Sequence, residues 1–346
     1  MNKMNTKNKC IVIILSLLHL FCDLICIFKV IGILSTKYIL AHTLIFVLYN
    51  GFAFLLQPVA GLIIDKYHNE KMMLILSCLF IILGILFSNL ILSCICLGIA
   101  NQIFHVAGGK ICTNFSTNKA THLGLFVSLG AIGLMLGSNF YQYKILLFLP
   151  LVLYLTLTVL ICLLYKKDNE SYSVEINNNK IILPKKIFAV IFLVTVVLIR
   201  SFVGKIIHYD FELNITYIVL LGISSAIGKF IGGILKDLFG SMKVIFVSLF
   251  LCGLILVFFD NIFILMLMGT ILINISMPIT LFELNKINPN YEGFNFGLLA
   301  AALFPGVALG LVYEYNLISY VIIVVVALTL SIYAIYYVKR LDKCGK

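Results

Sequence analysis

GLIIDKYHNEK, residues 61–71, and GILKDLFGSMK, residues 233–243, begin 172 residues apart and follow one scheme. Each has a glycine, three further positions, an aspartate, and a short turn closing on lysine. Each ends a long apolar run. Glycine lets a neighbouring helix come close. An aspartate in the last turn of its own helix meets the negative end of the helix dipole, so it needs a partner elsewhere. Such a helix end, met twice at one spacing, predicts two copies of one membrane unit.

Composition points the same way. Of 346 residues, 62% are hydrophobic and 11% charged, against about 25% charged in a soluble domain. The net charge of +11 does not form one patch; the basic residues lie in short connections between apolar runs. That is the positive-inside pattern, and it argues against nucleic acid as a partner. The ten cysteines fall mostly in apolar segments, with no CxxC at zinc-ligand spacing. They read as small buried side chains rather than a disulfide framework. The basic start MNKMNTKNK precedes about 24 apolar residues with no small-residue cleavage site, so it opens a first transmembrane helix rather than a signal peptide.

A helix crosses a bilayer with about 20 apolar residues. On that measure there are twelve spans, at 10–34, 38–64, 71–88, 90–112, 122–142, 145–165, 187–209, 213–236, 243–260, 262–283, 294–313 and 317–338. The expected fold is an all-α membrane protein with a six-helix half at 1–165, a linker at 166–186 and a second six-helix half at 187–346. Lysine and arginine gather on the side of both termini, while Lys37 and Lys144 mark the other. Both termini are therefore expected in the cytoplasm, in a cell membrane crossed many times. A second repeat supports duplication: Gly124, Gly133 and Gly137 precede Gly297, Gly306 and Gly310 by 173 residues.

Two parallel six-helix repeats with a site between them resemble the major facilitator transporters. The Asp65 and Asp237 turns are similar to that superfamily's signature loops between helices 2 and 3 and between helices 8 and 9. The glycine expected three residues after the aspartate is His68 in the first copy and Gly240 in the second. SLLHLFCD (16–23), LLQPVAGLIIDKY (55–67), IFHVAGGK (103–110) and LIRSF (198–202) further resemble the fosmidomycin-resistance group of drug exporters. Val106 stands where that group has proline, and Ala107 where it often has glutamate. The resemblance implies that spans one, four, seven and ten surround one central cavity. It also implies that Asp65 meets the N-terminus of helix 11 and closes the cytoplasmic side. Gly61, Asp65, Lys66, Gly233 and Asp237 are the gating candidates.

Ionisable groups at membrane depth are costly and point to function. Ser16, His19, Asp23 and Cys26 share one face of span one. Gln102, His105, Gly109 and Cys112 share one in span four, and Ser276, Thr280 and Glu283 one in span ten. Asp23, with His19 one turn away, is the proton-coupling candidate. A fixed ion pair with Arg200 or Lys29 is the competing reading. Arg200, His105, Gln102 and Ser16 are the substrate-binding candidates. A guanidinium that keeps its charge suits a carboxylate or phosphonate, hence an anionic or amphiphilic small molecule.

The expected function is a proton-coupled secondary transporter, a monomer exporting a drug-like or anionic molecule by alternating access. Uptake of an organic anion by symport is the alternative, since direction is not written in residues. No metal or cofactor is expected, and the sequence has no GxSxG, HExxH or phosphate-binding loop that would mark an enzyme or an ATP-driven pump. A transporter-fold ligand sensor would need an output domain, for which a linker of about 20 residues is too small.

Overall fold

The computed structural model describes residues 6–34, 39–116, 119–165, 183–209 and 212–344. Lys3, Lys37, Lys346 and residues 166–182 of the linker lie outside them. Among the described residues there is no strand, and the helices form twelve rods. In the first half these are α1 (Thr6–Leu34), α2 (Ile39–Asn50, Gly51–Leu55 and Gln57–Tyr67), α3 (Glu70–Leu86), α4 (Leu90–Asn114), α5 (Thr121–Phe140) and α6 (Lys144–Leu147 and Phe148–Leu164). In the second they are α7 (Leu183–Ile206), α8 (Ile215–Phe239), α9 (Ser241–Phe258), α10 (Phe263–Asn274 and Ser276–Ile287), α11 (Glu292–Ala301 and Leu303–Leu311) and α12 (Leu317–Cys344). Eleven are long and apolar enough to cross a membrane by length and composition. The twelfth, α3, has 17 residues, about 26 Å at 1.5 Å per residue. That is close to the roughly 30 Å of a bilayer core. The linker expected to run to residue 186 is shorter at its end, because α7 already begins at Leu183.

Besides the 3-10 turn that opens α6 ahead of Pro150, three rods are broken within their length, and each break lies just ahead of a proline. Proline offers no N–H to the carbonyl four residues back, and its ring crowds that carbonyl. Pro58 follows the break at Leu56, Pro278 that at Ile275, and Pro305 that at Ala302. In α2 the chain widens into a π turn, Gly51–Leu55. Side chains then add further donors to carbonyls beside the break. Gln57 Nε2 donates to the Ala53 carbonyl at 2.7 Å, and Gln102 Nε2 reaches from α4 to the Leu56 carbonyl at 2.8 Å.

The duplication is visible in the packing. Within the halves α1 lies on α5 as α7 lies on α11, and α3 on α4 as α9 on α10. Between the halves α2 packs on α11 and α5 on α8. Those two seams are built alike from glycine. A methyl on Gly61 would lie 2.5 Å from the Gly293 carbonyl oxygen, and one on Gly233 would lie 2.5 Å from that of Ala120. One turn away, Gly297 faces the Gln57 carbonyl at 2.5 Å and Gly124 that of Lys229 at 2.8 Å. The outer surface carries large apolar side chains such as Leu86, Phe148, Leu163 and Leu238, as a lipid-facing wall requires.

Candidate functional site

On the side where α2 and α8 end, each signature aspartate caps a helix of the opposite half. Asp65 accepts from the Gly293 and Phe294 amides at 3.0 and 2.8 Å, the first turn of α11. Asp237 accepts from the Ala120 and Thr121 amides at 2.8 and 3.0 Å and from the Thr121 hydroxyl at 2.5 Å, at the start of α5. Each carboxylate thus finds, at the positive end of another helix, the partner that its own helix end denies it. Lys66, grouped with the gate from sequence, is exposed and leans over the ring of Tyr67.

Lys110 is the cation of the first seam. Read from sequence only as a basic residue of that side, it is 2% exposed. It bridges Asp65 at 3.1 Å and Glu70 at 3.2 Å. Its ammonium also donates to the Ile64 carbonyl at 2.9 Å and lies 3.2 Å from His68 Nδ1. His68 takes a left-handed backbone, φ 52°, where the second copy has Gly240 at φ 84°. The two turns share a positive φ but differ in ψ, 44° at His68 against 153° at Gly240, and the imidazole gains a contact.

Asp23 is 3% exposed and lies between α1, α4 and α5. His19 Nε2 is 3.2 Å from its Oδ2, and His105 Nε2 is 3.5 Å from its Oδ1. Asn101 donates its amide to Oδ1 at 2.8 Å. The other nitrogen of each ring faces a backbone oxygen: His19 Nδ1 to Phe126 at 2.8 Å, His105 Nδ1 to Asn101 at 2.7 Å. A carbonyl only accepts, so Nδ1 carries the hydrogen in both rings. Each Nε2 then faces a carboxylate oxygen, and that contact attracts only where a further proton lies between nitrogen and oxygen. The geometry leaves a place for a proton on each of these two contacts. These ligand-capable atoms all lie within 4.8 Å of one another, which a small cation could also span. Gly130 leaves the room that the His19 ring occupies.

Among the described residues Asp23 forms no ion pair with Arg200 or Lys29. Lys29 donates to the Ile85 carbonyl at 3.2 Å. Arg200 is 8% exposed, and its Nη1 is buried without a hydrogen-bond partner. It lines a small, largely apolar cavity with Val127, Val197, Met277, Leu281, Phe296, Leu299 and Ala300. Lys229 is close enough for its charge to interact with those of Arg200 and Asp23. The polar groups of spans one, four and seven therefore do not open on one space. Those of α1 and α4 converge on Asp23, while the cavity belongs to α5, α7, α10 and α11. The ring of Phe296 stands between them, seated where Gly109 has no side chain.

Two other sequence candidates are used within the scaffold. Ser16 donates to the Val12 carbonyl of its own helix at 2.7 Å, and Gln102 holds the α2 break. Asn101 and Phe296 were not singled out from sequence. Asn101 was within reach, since it lies four residues before His105 on one helical face. Phe296 was not, because an aromatic in an apolar helix carries no mark of its neighbours.

The model of the Major Facilitator Superfamily matches residues 20–311. No curated protein sequence matches the chain. Among solved structures, a variant of the Escherichia coli fucose:proton symporter FucP has a TM-score of 0.73 at 14% identity, covering 96% of this chain and 99% of that one. A second, of the Major Facilitator Superfamily transporter FucP in its outward conformation, has a TM-score of 0.64 at 15% identity, covering 92% of this chain and 98% of that one. At these identities the likeness is one of fold.

Proposed function

The chain belongs to the Major Facilitator Superfamily, and from that premise we propose that it is a proton-coupled secondary transporter of small organic anions. One observation carries the reading. The buried carboxylate of Asp23 is held by two histidines and an asparagine, while the buried cation Arg200 is left to face an apolar cavity. An aspartate locked to arginine could not exchange a proton cheaply, whereas one shared with imidazoles can. An unpaired guanidinium beside apolar side chains suits an amphiphilic anion. His105, first read as a substrate contact, joins Asp23 and His19 in the proton group.

Alternating access follows from the two seams. With Asp65 and Asp237 capping helices across the halves, and Gly61 and Gly233 in contact with them, the signature side is closed. We take that side as cytoplasmic, in a cell membrane, with both termini there. Opening it breaks both caps and exposes the cavity to the cytoplasm. Export against inward proton flow fits the resemblance to drug exporters. Uptake by symport is the second reading, favoured by FucP, which is named as a fucose:proton symporter.

The test is proton flux in proteoliposomes with an internal pH dye, adding fosmidomycin and a panel of carboxylates and phosphonates in turn. Anion-driven flux in the wild type, lost in Asp23→Asn while anion binding persists, supports the reading. Equal flux in both removes Asp23 from it. Binding without flux for every compound points instead to a sensor.

A further inference from the structure

Phe296 lies where the three working parts described above meet. Its helix is tied to the gate two and three residues earlier, where the Phe294 and Gly293 amides bind Asp65. Its ring lies 6.4 Å from that of His105 and 5.8 Å from that of Phe126. It also forms part of the Arg200 cavity wall. The seat is made by Gly109, one helical turn after His105, since any side chain there would overlap the ring. Phe296 is 6% exposed, so in this closed arrangement the ring is a dry partition between the anion cavity and the His105 edge of the proton group.

We propose that Phe296 is the coupling residue, a plug that denies the His105–Asp23 pair access to the cavity until the gate opens. The inference rests on the proton-carrying reading of Asp23. It follows from rigid attachment. When Asp65 releases the first turn of α11, that turn moves away from α2 and α4, and Phe296 leaves the Gly109 seat with it. Water from the cavity then reaches His105, and the proton exchanges on the side that is open. Tying the plug to the gate helix makes proton exchange conditional on the same motion that exposes the anion site. A proton cannot then cross alone.

The test needs no substrate. An imposed pH gradient across proteoliposomes, with the membrane potential clamped, reads proton leak directly. Phe296→Ala should leak about tenfold faster than wild type, the order of change expected from breaking one coupling contact. Phe296→Leu, which refills the seat, should return the leak towards wild type. Gly109→Ala, which evicts the ring from the opposite side, should leak although Phe296 is intact. The double variant Phe296→Ala with Asp23→Asn should be tight. Size-exclusion profiles and thermal unfolding identify any variant that has merely misfolded, and Phe296→Leu with Gly109→Ala then decides. A tight Phe296→Ala overturns the proposal, as does a leak that survives Asp23→Asn, which would be a water path around the proton group. Failure of the proton-carrying reading is separately visible, as wild-type anion flux unchanged by Asp23→Asn.

Discussion

Lys110 and Glu283 stand 173 residues apart, at equivalent positions in α4 and α10, and carry opposite charges. Both are buried and both organise the signature side of their half. Lys110 binds two carboxylates. Glu283 accepts from the Ser241 hydroxyl and pairs with Lys339 of α12 at 2.7 Å. The duplicated scaffold has thus kept a charged pivot at one place while reversing its sign.

That reversal predicts unequal costs. Lys110→Met leaves Asp65 and Glu70 buried beside each other without a cation, which should cost about 3–5 kcal/mol. Glu283→Gln keeps an acceptor for the Ser241 hydroxyl and removes one negative charge beside Lys339, whose side chain is 29% exposed; about 1–2 kcal/mol is expected. Thermal unfolding in detergent should order the variants wild type, Glu283→Gln, Lys110→Met. The reverse order would remove Lys110 as the pivot.

The two caps are also unequal. Asp65 is bound by a buried lysine, whereas Asp237 pairs with its own neighbour Lys236, and its side chain is 13% exposed against 4% for Asp65. Asp65→Asn should shift the closed–open balance by about 1–2 kcal/mol, roughly 5- to 30-fold, and Asp237→Asn by less. Spin labels at the exposed positions Tyr67 and Tyr291 would read the shift as a longer distance population. Equal responses would mean that the lysine environment does not matter.

Gly61→Ala brings a methyl to 2.5 Å from the Gly293 oxygen and 2.6 Å from Phe294 Cα. Backbone cannot yield as a side chain does, so the seam must part. The same spin-label distance should lengthen, and the closed form should lose about 1–3 kcal/mol. Gly32→Ala, with nothing within 4 Å, is the control and should change neither reading.

Arg200→Leu should raise stability while abolishing anion-driven flux. It removes a buried donor that has no partner, worth about 1–3 kcal/mol, and adds apolar packing to an apolar cavity. A melting temperature that falls would mean that Arg200 holds the halves together and is not reserved for a ligand. Arg200→Lys should bind anions more weakly than wild type, because an ammonium lacks the bidentate fork.

The sequence by itself determined the membrane class, the twelve apolar rods and their duplication. Each of these depends on spacing along one chain: run length, the 172–173 residue period, and polar residues recurring every three or four positions. It also marked His19, Asp23, His105 and Arg200 as polar groups at membrane depth. Periodicity gives a helix a face, however, and not the partner that the face meets. Whether Asp23 would pair with Arg200, Lys29 or the histidines depended on how α1 and α4 are rotated against α5. Gly133 and Gly137 of α5 set that rotation by letting the backbone of α1 come into contact. Tertiary structure alone buried Lys110 between two acids, brought Asn101 to Asp23 and seated Phe296 on Gly109. Each of those contacts joins helices far apart in sequence, and close packing, which no local pattern encodes, decides them.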